Sequence, residues 1–329
     1  MEAVTAAVLV VGSANADLVV TTDRRPAGGE TVLGGDTRIL PGGKGANTAV
    51  AAAQLGGDVA LVGAVGDDAH GTLLLDSLRT AGVRTDHVRV VDRPTGAAYI
   101  TVTPDGENSI LVSPGANYAL TSADATDAVA AVSADSAVDT AAREGARVLV
   151  ASLEVPLTVV DDAIAAAARA GVLTVLNLSP TTTLPAETLQ ALDVLVVNEH
   201  EAAWLLEQAR DNRSDNRSDN RDDDGSGDRA DDLGDVSALL DLGPDTAVVT
   251  RGADGATVVT RDGRVDVPSP QVKAVDTTGA GDAFTGALAT WLAAGATPAD
   301  AARRAVEVAA ISVTRHGAQP SYPQLHELS

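Results

Sequence analysis

The sequence predicts an α/β protein with three layers, α/β/α, around a mostly parallel central sheet, plus a small β-sheet lid. Three observations carry this. Short β-branched runs alternate with alanine-rich stretches of helical period, the pattern of strands joined by right-handed helical crossovers. The runs lack polar/apolar alternation, as expected of strands buried on both faces. Two segments break the alternation and read as a separate β element.

Taken in order, 6–11 is the first strand. The stretch 17–40 is extended and glycine-rich. Helix 44–55, strand 59–65 and helix 71–81 follow. Residues 97–103 and 108–112 form a hairpin around Pro104, Asp105 and Gly106, a turn signal. Strands at 147–152, 172–178, 194–198 and 246–250 are separated by helices at 157–170 and 185–192, and by a helix that ends near Ala209. A further helix begins near Val236, and another spans 283–294. Residues 1–12, 42–95 and 113–329 are thus expected to form the main domain, and 13–41 with 96–112 the lid. Between them, 211–232 repeats Asp-Asn-Arg-Ser and ends in an Asp/Gly/Ser run with a single alanine. It cannot offset its ordering entropy and is expected to be a disordered acidic insertion. A calcium loop is the weaker reading, because the closing glutamate of an EF-hand is missing.

Composition narrows the function. The 329 residues carry 23 basic and 46 acidic side chains, a formal net charge of −23. A field of that sign repels nucleic acid and anionic membranes, so neither is an expected partner. With Lys44 and Lys273 the only lysines, the acidity reads as a coat suited to high salt, where screening removes self-repulsion. Aromatics are 2% of the chain, which argues against stacking surfaces for bases or sugars. Cysteine is absent, which excludes disulfides, thiolate metal sites and thiol nucleophiles. The N-terminal apolar run is too short to span a bilayer and lacks a basic flank, so a cytoplasmic protein is expected.

Two glycine-rich turns carry chemistry. In the segment Asp276-Thr277-Thr278-Gly279-Ala280-Gly281-Asp282, glycines let backbone N–H groups converge at a helix start, which suits an anion. Asp282 stands at the mouth of that hole, placed to take a proton from a hydroxyl attacking phosphorus. A plain helix cap is the simpler account of one Asp, and a weaker account of two Gly, two Thr and two Asp in one loop. The second turn, Gly42-Gly43-Lys44-Gly45-Ala46-Asn47, also opens a helix and sets Lys44 and Asn47 three apart as donors to hydroxyls. Neither turn fits the dinucleotide fingerprint or the Walker loop: Phe284 replaces the third glycine of one, and Arg38 the first glycine of the other.

Together the two turns resemble the signatures of the ribokinase-like (PfkB-type) sugar kinases, and the resemblance covers nearly the whole chain. Gly12-Ser13-Ala14-Asn15-Ala16-Asp17, Gly29-Glu30-Thr31, Ser113-Pro114-Gly115-Ala116-Asn117 and 314–321 are most similar to the ribose-phosphorylating members. The resemblance implies ATP-dependent phosphorylation of D-ribose at the 5-hydroxyl, with Asp282 as base and the amides of Gly279, Ala280 and Gly281 on the transferring group. It implies sugar contacts from Asn15, Asp17, Gly42, Gly43, Lys44, Asn47 and Glu154. Nucleotide contacts are implied for Asn198, Thr250, Gly252, Gly255 and Gly281. Mg²⁺ is implied near Asn198 and Glu201, and an activating K⁺ near Asp276, Thr278, Ser312, Arg315, Gly317 and Ser321. It also implies a homodimer through the lid. Asn198 and Glu201 also read as a capping box, and His200 as a surface residue. Ser152 departs from the Gln common at its position, and Arg38 suggests a rival sugar-phosphate substrate. The remaining rivals are another sugar or nucleoside kinase and a non-catalytic sugar sensor.

Overall fold

The structure is a computed structural model that describes residues 7–105, 107–134, 147–215 and 236–328. β1 (Ala7–Val11) enters the core. β2 (Asn15–Thr21) and β3 (Arg38–Gly42) leave it, and α1 (Lys44–Gln54), β4 (Asp58–Gly66), α2 (Ala69–Thr80) and β5 (Val88–Val91) return. The hairpin β6 (Gly96–Val102) and β7 (Asn108–Ser113) precedes α3 (Ser122–Ala134). Then come β8 (Val148–Ser152), α4 (Leu157–Arg169), β9 (Leu173–Asn177), α5 (Ala186–Gln190), β10 (Val194–Asn198) and α6 (Glu199–Asp215). β11 (Thr246–Thr250), β12 (Ala256–Thr260), β13 (Gly263–Val267), α7 (Ala280–Ala293) and α8 (Pro298–Ser312) complete the fold.

The main sheet has nine strands in the order β13-β12-β11-β10-β9-β8-β1-β4-β5. The pairs from β11 to β5 are parallel, while β12 and β13 turn back antiparallel. Each central strand feeds two cores. Val8 and Val10 of β1 pack with α1, α7 and α8, and Leu9 and Val11 pack with α3 and α4 on the other face. Val148 and Val150 against Leu149 and Ala151 repeat the arrangement in β8. This is why the strands read as continuous apolar runs.

Strand order reverses at β1. The chain proceeds from it outward to β4 and β5, then crosses to β8 and proceeds the other way. A crevice opens beyond the carboxyl ends of strands at such a switch point, so the loops after β1 and β8 are where a ligand belongs. Directly after β1 the chain rises into the lid, a four-stranded sheet in the order β3-β2-β6-β7. Its outer pairs are antiparallel and the central β2·β6 pair is parallel. Gly42 and Ser113 extend the lid strands one residue past the boundaries read from the sequence.

Three local expectations are corrected. α6 does not stop near Ala209 but continues to Asp215, into the segment expected to be disordered, because an established helix gains a hydrogen bond per added residue without needing apolar contact. Residues 216–232 of that segment, and the turn glycine Gly106, lie outside the described residues. The helix expected near Val236 is a 3₁₀ turn, Val236–Leu242. α7 starts at Ala280, so Asp282 lies within its first turn.

Small residues set how closely the helices pack. A Cβ on Gly286 of α7 would sit 2.5 Å from the Thr48 carbonyl oxygen and 2.9 Å from the Ala51 Cβ of α1. Backbone on one side leaves nothing that can swing away. Gly286→Ala should therefore lower stability by about 1–3 kcal/mol, the usual cost of overpacking, measured as a shift in the urea midpoint at unchanged m-value.

Candidate active site

The turn after β1 and the turn after β8 meet across the switch point. Glu154 Oε2 accepts hydrogen bonds from Ser13 Oγ at 2.5 Å and Asn15 Nδ2 at 3.2 Å, and lies 3.5 Å from the Lys44 amide nitrogen. Asn15 Oδ1 in turn accepts from Asn117 Nδ2 at 2.7 Å, and Asn117 Oδ1 accepts the Ala14 N–H at 2.9 Å. Asn15 and Asn117 are buried. Gly43 makes this convergence feasible: its φ is 91°, and a Cβ there would lie 2.6 Å from the Asn15 nitrogen.

Asp17 lies beyond Asn15 on β2, and a Cβ on Gly42 would collide with its carboxylate. Among the described residues no donor reaches that carboxylate. Burial, with repulsion from Glu154 and Asp282, pushes its pKa up to about 7. A half-buried carboxylate lacking protein donors, among buried amides, is suited to receive hydroxyl groups.

Asp282 is buried in the first turn of α7. Gly279 precedes that helix with φ 74° and no side chain caps it; the Ala280 amide donates to the Thr277 carbonyl at 3.2 Å, and those of Gly281 and Asp282 face a ligand. A Cβ on Gly281 would meet only open space, and the Gly279 carbonyl is held by the Tyr322 hydroxyl at 3.1 Å. Asn47 Nδ2 donates to Asp282 Oδ2 at 2.9 Å. Burial raises the Asp282 pKa and outweighs the opposing pull of Lys44 and Asn47, while Glu154 adds to the rise. Burial opposes the charge on Lys44, but attraction from Asp282, Glu154 and Glu201 prevails and holds its pKa above the usual value. The ammonium is thus charged at neutral pH.

On the far side of Gly281 is a cavity of about 260 Å³. Of the residues the resemblance implies for the nucleotide, Thr250, Gly252, Gly255 and Gly281 line it and Asn198 does not; Ala280 lines it too. Its apolar wall, which the sequence reading missed, comes from Val272, Phe284 and the α8 residues Val306, Ala309 and Ala310. Phe284 and the α8 residues look like ordinary helix-core positions in sequence, and Val272 like a loop residue.

Asn198 and Glu201 do form the reciprocal cap. Glu201 Oε2 accepts the Asn198 N–H and Asn198 Oδ1 accepts the Glu201 N–H, both at 2.8 Å. The cap leaves the second Glu201 carboxylate oxygen for other use, a hard donor of the kind a hydrated Mg²⁺ takes at one or two positions. No cluster of three or more His, Asp or Glu able to hold a metal occurs among the described residues. His200 is exposed.

The loops expected to hold K⁺ meet at Asp276. Its carboxylate accepts the amides of Thr278 at 2.9 Å and Gly317 at 2.8 Å. Although partial burial opposes ionisation, these hydrogen bonds hold its pKa below the usual range. Ser312 and Ser321 spend their hydroxyl protons on the Ala309 and Ala318 carbonyls, and the Arg315 side chain pairs with Glu327. At Arg315 only the backbone is left to serve. Arg38 is exposed, paired in register with Val19 far along the lid strand, and is not gathered into the site. Ser152 is buried, packed under Gly12.

A polar pocket at a sheet switch point, a buried carboxylate in a glycine-rich helix start and an apolar cavity beyond it define a phosphotransferase acting on a small hydroxylated molecule. The chain belongs to the pfkB family of carbohydrate kinases, whose model matches residues 5–325. It is 37% identical over 322 residues to the ribokinase of Bacillus subtilis, covering 98% of this chain and 97% of that protein. The ribokinase of Schizosaccharomyces pombe is likewise 37% identical, over 98% of this chain and 96% of that one. The Arabidopsis thaliana ribokinase, solved with ribose and ATP, superposes with a TM-score of 0.79 at 30% identity, covering 98% of this chain and 97% of that one.

The Asp17 environment gives a pH test. The group is ionised above its pKa of about 7 and protonated below it. A neutral carboxyl accepts hydroxyl hydrogen bonds less well, so KM for the sugar should rise as pH falls from about 8 to about 6. Asp17→Asn should raise KM and flatten that dependence; initial rates across the pH range check both.

Proposed function

We propose that the protein phosphorylates D-ribose at its 5-hydroxyl with ATP as donor. The observation that carries this is the position of Asp282. Its carboxylate touches Asn47 on the polar side, and its neighbour Gly281 lines the apolar cavity. Sugar and nucleotide would therefore meet at this residue.

Ribose would bind under the lid, its hydroxyls shared among Asn15, Asp17, Asn47, Glu154 and the Gly42-Gly43 backbone. Gly43 and Lys44 carry the turn that presents Asn47. Asp282 accepts the proton of the 5-hydroxyl as that oxygen bonds to the γ-phosphorus; the bond from that phosphorus to the bridging β–γ oxygen breaks, and ADP leaves. The amides of Gly279 and Gly281, and that of Ala280 once it leaves the Thr277 carbonyl, would stabilise charge on the transferring group, aided by the positive end of α7. Lys44 adds a fixed positive charge nearby. Thr250, Gly252 and Gly255 would hold the nucleotide. Asn198 and Glu201 would hold the water shell of the Mg²⁺ that travels with ATP and neutralises its phosphates. The Asp276–Gly317 junction supports a K⁺ site that orders the same loop. The lid would exclude water.

A homodimer through the lid is supported by its outer surface, where Tyr99 is 50% and Leu111 70% exposed on an otherwise small sheet. Light scattering should give twice 33.1 kDa for the native chain and a single chain for Leu111→Glu. Cytoplasmic operation at high salt fits the acidic composition; among the described residues no helix is long and apolar enough to cross a membrane.

The test of function is a panel of ribose, ribose 1-phosphate, fructose and adenosine, assayed for ADP release in molar KCl and in molar NaCl. Ribose should give the highest kcat/KM, and KCl should exceed NaCl. Ribose as a poor substrate overturns the assignment. Asp282→Asn should lower kcat by about 10²- to 10⁴-fold with the fold intact by circular dichroism, and retained turnover removes the general base.

A further inference from the structure

The hydrogen bonds that hold Asp282 do not end at Asn47. Asn47 Oδ1 accepts from Gln319 Nε2 at 3.1 Å, and Gln319 Oε1 accepts from Ser77 Oγ at 2.9 Å. Asp282, Asn47 and Gln319 are buried, and Ser77 is half-buried at the edge of a groove that Gln319 and Pro320 also line. One line of side chains thus runs from α2, through the 3₁₀ turn Gln319–Ser321, to the carboxylate.

The order of donors and acceptors along this line matters. The two ends of an asparagine amide are nearly the same size, so its partners decide which end faces which way. The ionised Asp282 carboxylate can only accept, so it takes the Asn47 NH₂, and Asn47 Oδ1 then requires the Gln319 NH₂. Ser77 Oγ donates to the Gln319 carbonyl and holds that side chain in place, so the whole line runs in one direction while Asp282 carries its charge. Reversed, Asn47 would set a carbonyl oxygen against a carboxylate, an arrangement tolerable only with Asp282 protonated and unable to take a proton.

We propose that Gln319 and Ser77 are positioning residues for phosphoryl transfer, holding Asn47 with its donor end on Asp282 so that the carboxylate stays ionised and aimed. This rests on the reading of Asp282 as the general base. The charged and titratable groups that face Asp282 are Lys44 of α1, Glu154 after β8, Asp17 of β2 and Tyr322 of the C-terminal segment. All of them remain in a Gln319 or Ser77 variant, so a changed pH profile isolates the Asn47 hydrogen bond.

The experiment records kcat against pH for the native protein, Gln319→Met, Ser77→Ala and Asp282→Asn, with a melting curve for each. Gln319→Met fills a similar volume without a donor and should lower kcat roughly 10- to 100-fold at neutral pH, as for a misaligned catalytic group. Its acid limb should move up by about one pH unit, since the ionised form loses a donor, while KM for ATP stays unchanged. Ser77→Ala should move the limb the same way by less. Loss of turnover in Asp282→Asn with an unmoved acid limb in Gln319→Met overturns the positioning role alone. Turnover retained in Asp282→Asn overturns the base and this role with it. If Gln319→Met does not fold, the limb of Ser77→Ala decides, and an unmoved limb sinks the proposal.

Discussion

The molecule is organised around one costly arrangement, an ionisable carboxylate buried in the first turn of a helix. Burying a carboxylate costs several kcal/mol, whereas the start of a helix returns about 0.3–2 kcal/mol and one hydrogen bond to a charged group about 1.5–3. The sum falls short, and the raised pKa of Asp282 records which side prevails. Lys44 is the strongest opposing pull on that carboxylate, and attraction from Asp282, Glu154 and Glu201 holds its own pKa above the usual value. Asp282, Lys44 and the acids on either side of it are therefore one electrostatic unit, assembled from α1, α6, α7 and the turn after β8.

The backbone must approach closely for that unit to form. Gly12 and Gly45 touch where β1 meets the start of α1, with a Cβ on Gly12 only 2.8 Å from the Gly45 Cα. Gly286 lets α7 lie against α1. Packing at this separation leaves no room for large side chains, which accounts for a core of Ala, Val and Leu in a chain with a single phenylalanine. Composition and catalytic geometry share this cause.

Much of the fold is legible in sequence because its signals are local. Strands β10 and β11 match their sequence-read limits, and α1 and α4 do so within one residue, because buried strands and amphipathic helices carry their pattern within a few turns. α3, α8, β5 and β13 were not read. α3 is alanine-rich without a distinct apolar stripe. α8 does carry a Thr297-Pro298 start signal, with the Thr297 side chain accepting the Asp300 N–H, but its two arginines and alanines mask its apolar face. Of the site, Asp282, Lys44 and Asn47 were legible through their glycine-rich turns, and Asn15 and Glu154 only through the family resemblance. Asn117, Gln319 and Tyr322 were not assigned roles, since they act through contacts more than forty positions distant in the chain.

By itself the sequence determined the layered α/β class, the two glycine-rich turns that open α1 and α7, and the absence of thiol chemistry. These follow from residue type and from spacing within a few residues. Tertiary structure decided that β1 and β8 flank the switch point, so Asn15 and Glu154 meet although they are 139 positions apart. It decided that the Asn47 amide faces Asp282 with its donor end. It also decided that the serines expected beside K⁺ give their protons to their own turns. The physical reason is that hydrogen-bond direction and burial belong to pairs of groups, and most of these pairs exist only after the chain has folded.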